Sequence, residues 1–483
     1  MSRNVRTPPN FRTQNGGRID RGRSVGFTFD DRKYSGLAGD TLASALLANG
    51  VRLVGRSFKF HRPRGILATG VDEPNALVTV RKDADRYTPN LRATQVELYD
   101  GLTAESQNRR PSLAFDRGAV NDRLSHFLPS GFYYKTFMWP RKAWERFYEP
   151  RIRAMAGLGR APSLPDPDHY ANRYAHCDVL VVGGGAAGLS AALAAADGGA
   201  RVIVADEQME FGGSLLAETE ALIADQTASA WLAATLAALE RQPRVTLLPR
   251  TTAFGYFAYN MVGLAERVTE HLSAPDPALP RERLWQVRAK QVVLATGAIE
   301  RPLVFPDNDR PGIMLADAAR TYLNRWGVAC GTRAVVITAH DAAYRAALDL
   351  QRAGIVIAAI ADLRPDATGD LPKTARAAGL PVSTATTITA TSGRLGVRAV
   401  RLAGMNAEGG ASGTREIACD LVLMSGGFTP SVHLFSQSRG TLRFSDEVQA
   451  FVPDRSVQQE RSAGACRGAF GLAATLADGA AAG

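Results

Sequence analysis

Apolar and polar positions alternate along VGFTFDDRKY at 25–34, which predicts two short strands joined at Asp30–Asp31. The spacing turns helical in DTLASALLANG at 40–50, with Asp40 as the expected N-cap and Gly50 as the expected stop. A strand, NALVTV, follows at 75–80. Hairpin, helix, long loop and strand outline a ferredoxin-like β-grasp. Farther on, DVLVVGGGAAG at 178–188 is an apolar run broken by three glycines and closed by a fourth. It continues into the small-residue helix LSAALAAADGG and the strand RVIVAD at 201–206. Strands VTLLP (245–249) and AKQVVLATG (289–297) belong to the same fold. A second strand–helix–strand unit occupies 333–362, CDLVLMSGGFTP (419–430) is a strand and turn, and GACRGAFGLAATLADG (464–479) a turn and helix.

The predicted class is therefore α/β, a Rossmann-like fold with two dinucleotide-binding domains, preceded by an N-terminal ferredoxin-like β-grasp domain. The expected boundaries are 1–105 for the β-grasp, 106–176 for a linker, 177–330 with 420–483 for the first dinucleotide fold, and 331–419 for a degenerate second one. Nine of the 22 residues from Phe127 to Tyr148 are aromatic, against 7% in the whole chain. That density suits a segment packed on another surface, within the chain or on a partner.

The glycine run carries the clearest chemistry. Gly183 allows a tight turn, Gly185 lets the backbone approach a pyrophosphate, and Gly188 lets helix and strand pack closely. Asp206 ends the second strand about 20 residues on, where a carboxylate accepts hydrogen bonds from ribose hydroxyls. An acid there favours NAD or FAD over NADP, but the fingerprint does not separate NAD from FAD. Glu207 and Gln208 are placed to reach the adenosine, and Ala253 to offer a backbone contact to the adenine. Thr296 and Gly297 end the ATG strand beside the pyrophosphate or ribose. Gly464, Ala465 and Leu472 form the turn and helix start that close the site, and Ala187, Gly213 and Ser214 complete the expected contacts. The second unit reads TAHDAAY at its turn, with no glycine from 338 to 344. It is expected to hold no dinucleotide, with His340 capping or packing.

Composition adds limits. At 483 residues, with 45% hydrophobic and 22% charged residues, the chain is an ordinary multidomain globular protein. No segment reads as a membrane span, and MSRNVRTPPNFR lacks the core of a signal peptide, so the cytoplasm is expected. Cys177, Cys330, Cys419 and Cys466 form no CxxC pair and no metal signature, and no catalytic base or metal site is expected among the seven histidines. Residues 1–64 hold 13 Lys and Arg against four Asp. With no nucleic-acid motif beside them, these charges point to an acidic partner or a bound phosphate. Arg56, Lys59, His61, Arg62 and Arg64 stand where a ferredoxin would hold its cluster.

Taken together, GDTLASALLANG, SFKFHRPRGI, the acid–Pro–Asn of DEPNALV, TQVELYDGL, DVLVVGGGAAGLSAAL, ATGAIERP and GAFGLAATLADGAAAG resemble the α subunit of heterotetrameric sarcosine oxidase, in family order. The resemblance implies tight NAD binding and contact with a β subunit that carries FAD, with small γ and δ subunits completing the complex. It also implies an FMN, covalently attached to β, at the interface between α and β. The implied reaction oxidises sarcosine to glycine with hydrogen peroxide. The basic loop and the aromatic segment are then expected to face β, with one or more of Arg56, Lys59, Arg62 and Arg64 near the FMN phosphate. That family normally continues into a folate-binding, aminomethyltransferase-like domain, which this sequence does not include. Related proline dehydrogenase, opine oxidase and hydrogen cyanide synthase subunits, or a purely structural NAD-holding subunit, are the alternatives.

Overall fold

The computed structural model describes residues 10–83, 86–128, 131, 137, 139–140, 142–155, 157–406 and 408–483. The chain divides into two compact units, one of residues 1–167 and 302–427, the other of 168–301 and 428–483.

In the first unit, β1 (Asp20–Phe29) and β2 (Arg32–Ala38) form the predicted hairpin. Its turn residues Asp30 and Asp31 have φ of 47° and 64°, the left-handed pair that matches strand twist. Helix α1 (Leu42–Ala48) is wholly buried, and its N-cap is Thr41, not the expected Asp40. Thr41 and Ser44 exchange side-chain and backbone bonds as a capping box. Asp40 is engaged elsewhere, accepting from Arg12 at 2.5 Å and the Ser44 hydroxyl at 2.6 Å. With β3 (Leu77–Arg81), β4 (Tyr87–Arg92) and β5 (Leu102–Ser106) the sheet order is β2-β1-β5-β3-β4, in which β1 and β5 run parallel. Between α1 and β3 the buried Glu73 carboxylate accepts four backbone N–H bonds, from Leu67, Ala68, Asn75 and Ala76.

The second unit opens with β6 (Tyr170–Val182), which begins inside the expected linker, then α2 (Ala186–Asp197), β7 (Val202–Ala205), α3 (Ala228–Glu240) and β8 (Val245–Leu248). Strands β9 (Thr251–Phe257), β10 (Met261–Arg267) and β11 (Glu282–Leu294) complete a path β8-β7-β6-β11-β10-β9. Val179 and Val181 of β6 enter the core under α2 and α3, whereas Leu180 and Val182 enter the opposite one with Val262 and Val292. This two-sided burial accounts for the unbroken apolar run in the sequence. The short β12 (Ala298–Glu300) follows.

The chain then returns to the first unit. Strands β13 (Ile313–Leu315), β14 (Arg333–Thr338), β15 (Val356–Asp362), β16 (Val382–Ser383) and β17 (Leu421–Ser425) form a parallel sheet in the order β13-β17-β14-β15-β16. Helix α4 (Ala316–Trp326) follows β13, and α5 (Ala342–Arg352) links β14 to β15. Residues 302–330 and 420–427, expected with the first dinucleotide fold, lie instead with this one, because β13 and β17 are neighbours in its sheet. The β-grasp packs here too: Arg52 reaches the Asp420 carboxylate at 3.0 Å and Tyr322 donates to the Ala68 carbonyl at 2.9 Å.

Back in the second unit, β18 (Phe428–Pro430) pairs antiparallel with β12, β19 (Glu460–Ser462) adds to the far half of β11, and α6 (Leu472–Ala482) packs against α2. Among the described residues no helix is long and apolar enough to cross a membrane.

Candidate functional site

The glycine run is built as a cradle. Gly183 has φ of 100°, and a Cβ there would lie 2.3 Å from the Ala295 carbonyl oxygen. At Gly188 a Cβ would lie 1.8 Å from the Gly183 oxygen, so α2 rests directly on the strand end. Gly185 is the N-cap of α2, which has no side-chain cap and no acid in its first turn. First-turn N–H groups have no acceptor within a helix, so the positive end of α2 is uncovered. A Cβ at Gly185 would meet the Cα of Gly213 at 3.9 Å. A Cβ at Gly213 would in turn lie 3.1 Å from the Gly185 Cα. Two bare backbones thus approach each other closely with no side chain between them, as a phosphate loop built from backbone N–H groups requires.

Asp206 organises the turn expected at the adenosine side. Its carboxylate, on a residue only 9% exposed, accepts from the Gly184 N–H at 2.6 Å and the Gln208 N–H at 2.8 Å. The Gly212 N–H donates to the Gly184 carbonyl at 2.8 Å, so residues 206–213 wrap the glycine loop. Backbone bonds from Thr251 to Asp206 and from Arg250 to Gln208, and one from the Arg267 guanidinium to the Glu207 carbonyl, fix this turn from behind. Ala253, two residues past Thr251 on β9, pairs with Leu264 of β10 and is half-buried. The acid expected to address ribose hydroxyls is therefore also the residue that shapes the loop.

On the other side of β6, the Thr296 hydroxyl donates to the Ser431 carbonyl at 2.7 Å, and Gly297, at φ of 71°, faces open space. The Gly464 N–H donates to Asp478 at 2.7 Å, and Ala465 is half-buried in the same turn. Ala187 is a spacer rather than a cradle residue: it abuts Gly464, and a Cβ at Gly479 of α6 would lie 2.2 Å from its oxygen. Leu472 packs with Ala186 and Leu215, while Ser214 is exposed. Sequence reasoning passed over Phe211, whose ring covers Gly184, and the Phe428–Phe470 pair at 6.1 Å; their signal was aromatics flanking Gly212–Gly213, Gly427 and Gly471.

The second dinucleotide fold is closed by its own side chains. The His340 Nδ1 accepts the Ala342 N–H at 3.1 Å at the start of α5, which is the capping role expected of it. Asp341, the N-cap, bonds Arg364 at 2.7 Å, and Arg364 also holds Asp362, which accepts from the Tyr344 hydroxyl. A phosphate arriving at that helix end would meet a carboxylate.

The cations of the basic loop have partners within the chain. Arg56 is buried and donates to the Leu113 and His61 carbonyls, and the His61 ring bonds Asp116 at 2.6 Å. Arg62 pairs with Asp122 at 2.6 Å and Arg64 with Asp309, so two of the four cations expected at a partner's phosphate have carboxylates within the chain. Lys59 sits over the Phe60 ring. In the aromatic segment Phe137 contacts Tyr148, Arg151 covers Phe147, and Trp139 is 82% exposed. Phe132, Tyr133 and Tyr134 of that segment, and Arg3 and Arg6 of the basic N-terminus, lie outside the described residues. Among the described residues no group of His, Cys, Asp and Glu is placed to hold a metal ion.

Residues 177–458 match the family model of pyridine nucleotide-disulphide oxidoreductases, and residues 22–109 match that of a 2Fe-2S iron-sulfur cluster binding domain, although no cysteine precedes Cys177. The chain is 50% identical to the sarcosine oxidase alpha subunit of Rhizobium meliloti (strain 1021) over 98% of its length, and 40% identical to that of Corynebacterium sp. (strain P-1) over 96%. It spans less than half the length of these relatives, 46% and 44%. An opine oxidase subunit of Agrobacterium tumefaciens (strain Ach5) is 28% identical over 57% of both chains. Among solved structures, L-proline dehydrogenase from P. horikoshii shares the fold, at a TM-score of 0.64 and 20% identity, over 95% of this chain and 72% of that one. Disulphide chemistry needs an accessible thiolate. Here all four cysteines are buried, and burial pushes Cys177, Cys330 and Cys419 up to about 12 and Cys466 to about 11.

Proposed function

The chain belongs to the pyridine nucleotide-disulphide oxidoreductase family, and on that footing we propose that it is the NAD-binding alpha-type subunit of a cytoplasmic sarcosine oxidase complex. The observation that carries the reading is 50% identity along nearly the whole chain to a sarcosine oxidase alpha subunit, joined to an intact cradle at Gly183–Gly188 and Gly213. In this reading sarcosine, dioxygen and water give glycine, formaldehyde and hydrogen peroxide. FAD on a beta-type subunit, and FMN where alpha and beta meet, supply the redox chemistry.

The work of this chain's own residues is binding and support. The start of α2 receives a pyrophosphate, Asp206 and the backbone of 206–208 hold the adenosine end, and Gly297 leaves room beyond. In this reading the redox chemistry belongs to the flavins, and no acid–base role is assigned to this chain. The exposed aromatics around Trp139 and Phe147 form the face proposed for the beta-type subunit, with gamma and delta subunits completing the assembly. A second reading, a subunit of a related amine or amino-acid dehydrogenase, is favoured by the opine oxidase match and the proline dehydrogenase fold. The test is to purify the chain alone, record its absorbance and identify the nucleotide released on denaturation. NAD near one per chain without flavin supports the proposal; a bound flavin band, or no nucleotide, overturns it.

A further inference from the structure

The far end of the dinucleotide track ends at an aromatic pair that no expected contact includes. Helices α2 and α6 run parallel, because Gly479 rests on Ala187 and Gly483 on Ala191. Counted from those contacts, α6 overhangs the start of α2 by six residues, about 9 Å at the helical rise. Sheet order fixes what lies beyond. Asp206 ends β7 on one side of β6, so the half of a dinucleotide that is not adenosine crosses β11 on the other side. On that side stand Gly297, which faces open space, and Gly471, the N-cap of α6, which also faces open space. Phe470 stands immediately before that cap, 43% exposed. Its ring lies 6.1 Å from Phe428, tilted by 39°, and Phe428 is held on β18 opposite Glu300 of β12. One side of Phe470 is thus backed, while part of the ring is open to solvent.

We propose that Phe470, backed by Phe428, is the platform on which the second ring of the dinucleotide lies, a planar electron-poor heteroaromatic. The proposal rests on the dinucleotide reading of the cradle above. The face of a phenyl ring is electron-rich, so it attracts a cationic nicotinamide more than a neutral one. The platform therefore discriminates NAD+ from NADH, which no contact at the adenosine end can do.

The test uses the full chain and three probes that share ADP-ribose but differ at the ring: NAD+, NADH and ADP-ribose itself. Dissociation constants are measured by calorimetry, with displacement titration where nucleotide co-purifies, for wild type, Phe470→Leu and Phe470→Tyr. Phe470→Leu is expected to weaken NAD+ by about tenfold, NADH by less, and ADP-ribose hardly at all. Phe470→Tyr keeps the ring and should stay near wild type. ADP-ribose doubles as the folding control. Equal losses for all three probes in Phe470→Leu, or no loss for NAD+, overturn the platform while leaving the cradle standing. Failure of wild type to bind ADP-ribose overturns the cradle reading itself, and the platform with it.

Discussion

Replacing Asp206 with Ala deletes the acceptor for two backbone N–H groups at once, those of Gly184 at 2.6 Å and Gln208 at 2.8 Å. A hydrogen bond to a charged partner contributes about 1.5–3 kcal/mol. The two bonds share one carboxylate, so they do not sum in full. The expected loss in local stability is about 2–4 kcal/mol. Binding falls further, since ribose hydroxyls lose the same acceptor; about 1–3 kcal/mol there corresponds to a roughly 5- to 150-fold rise in Kd for ADP-ribose. Because the chain has two units, a single unfolding curve mixes their transitions. Amide hydrogen exchange at Gly184 and Gln208 reads the loop directly, and should accelerate in the variant with little change in β13–β17. Asp206→Asn keeps the shape and one acceptor but turns an NH2 group toward one of the two donors, so it should fall between wild type and Ala. Unchanged exchange at both amides, or an unchanged ADP-ribose Kd, in Asp206→Ala would refute the role argued for this carboxylate.

Three other outcomes follow from the same structure. Gly188→Ala places a Cβ 1.8 Å from the Gly183 oxygen, so α2 must retreat by more than an ångström; a loss above about 3 kcal/mol and loss of bound nucleotide are expected, checked by thermal melting and nucleotide content. Thiol titration with a disulfide reagent at pH 8 should find no fast-reacting cysteine in the native chain and four after denaturation, since the thiols sit at about 11 to 12; one rapid equivalent would contradict this. At Asp362 burial acts to raise the pKa, but the bonds from Arg364 and Tyr344 outweigh it and the net shift is downward. A carboxyl lowered in the folded state contributes stability above its unfolded value, near 4, which is lost as pH falls through the folded value. Asp362→Asn should therefore cost about 2 kcal/mol at pH 7 and flatten the acid limb of the first unit's stability curve, as followed by circular dichroism between pH 2 and 7.

Where a signal is local, the sequence already contains it. The run at 178–206 specifies strand, turn, helix, strand and acid, because a turn at φ of 100° and a helix resting on a carbonyl each admit only glycine. The β1–β2 turn and the absence of glycine at the start of α5 are legible for the same reason. What tertiary structure decided are matters of competition between distant groups. Asp40 is a good N-cap by type, but Arg12 claims its carboxylate and Thr41 caps instead. Arg56, Arg62 and Arg64 look like a presented basic patch, yet Arg56 is buried against the Leu113 carbonyl and the other two pair with Asp122 and Asp309, partners 57 to 245 positions away. Ala187 lies within the fingerprint but is used against α6, nearly 300 residues later. Residues 302–330 and 420–427 change fold because β13 pairs with β17. Backbone conformation is written residue by residue; which partner a charge or a strand edge finds depends on the folded surroundings, and only the packed chain sets that.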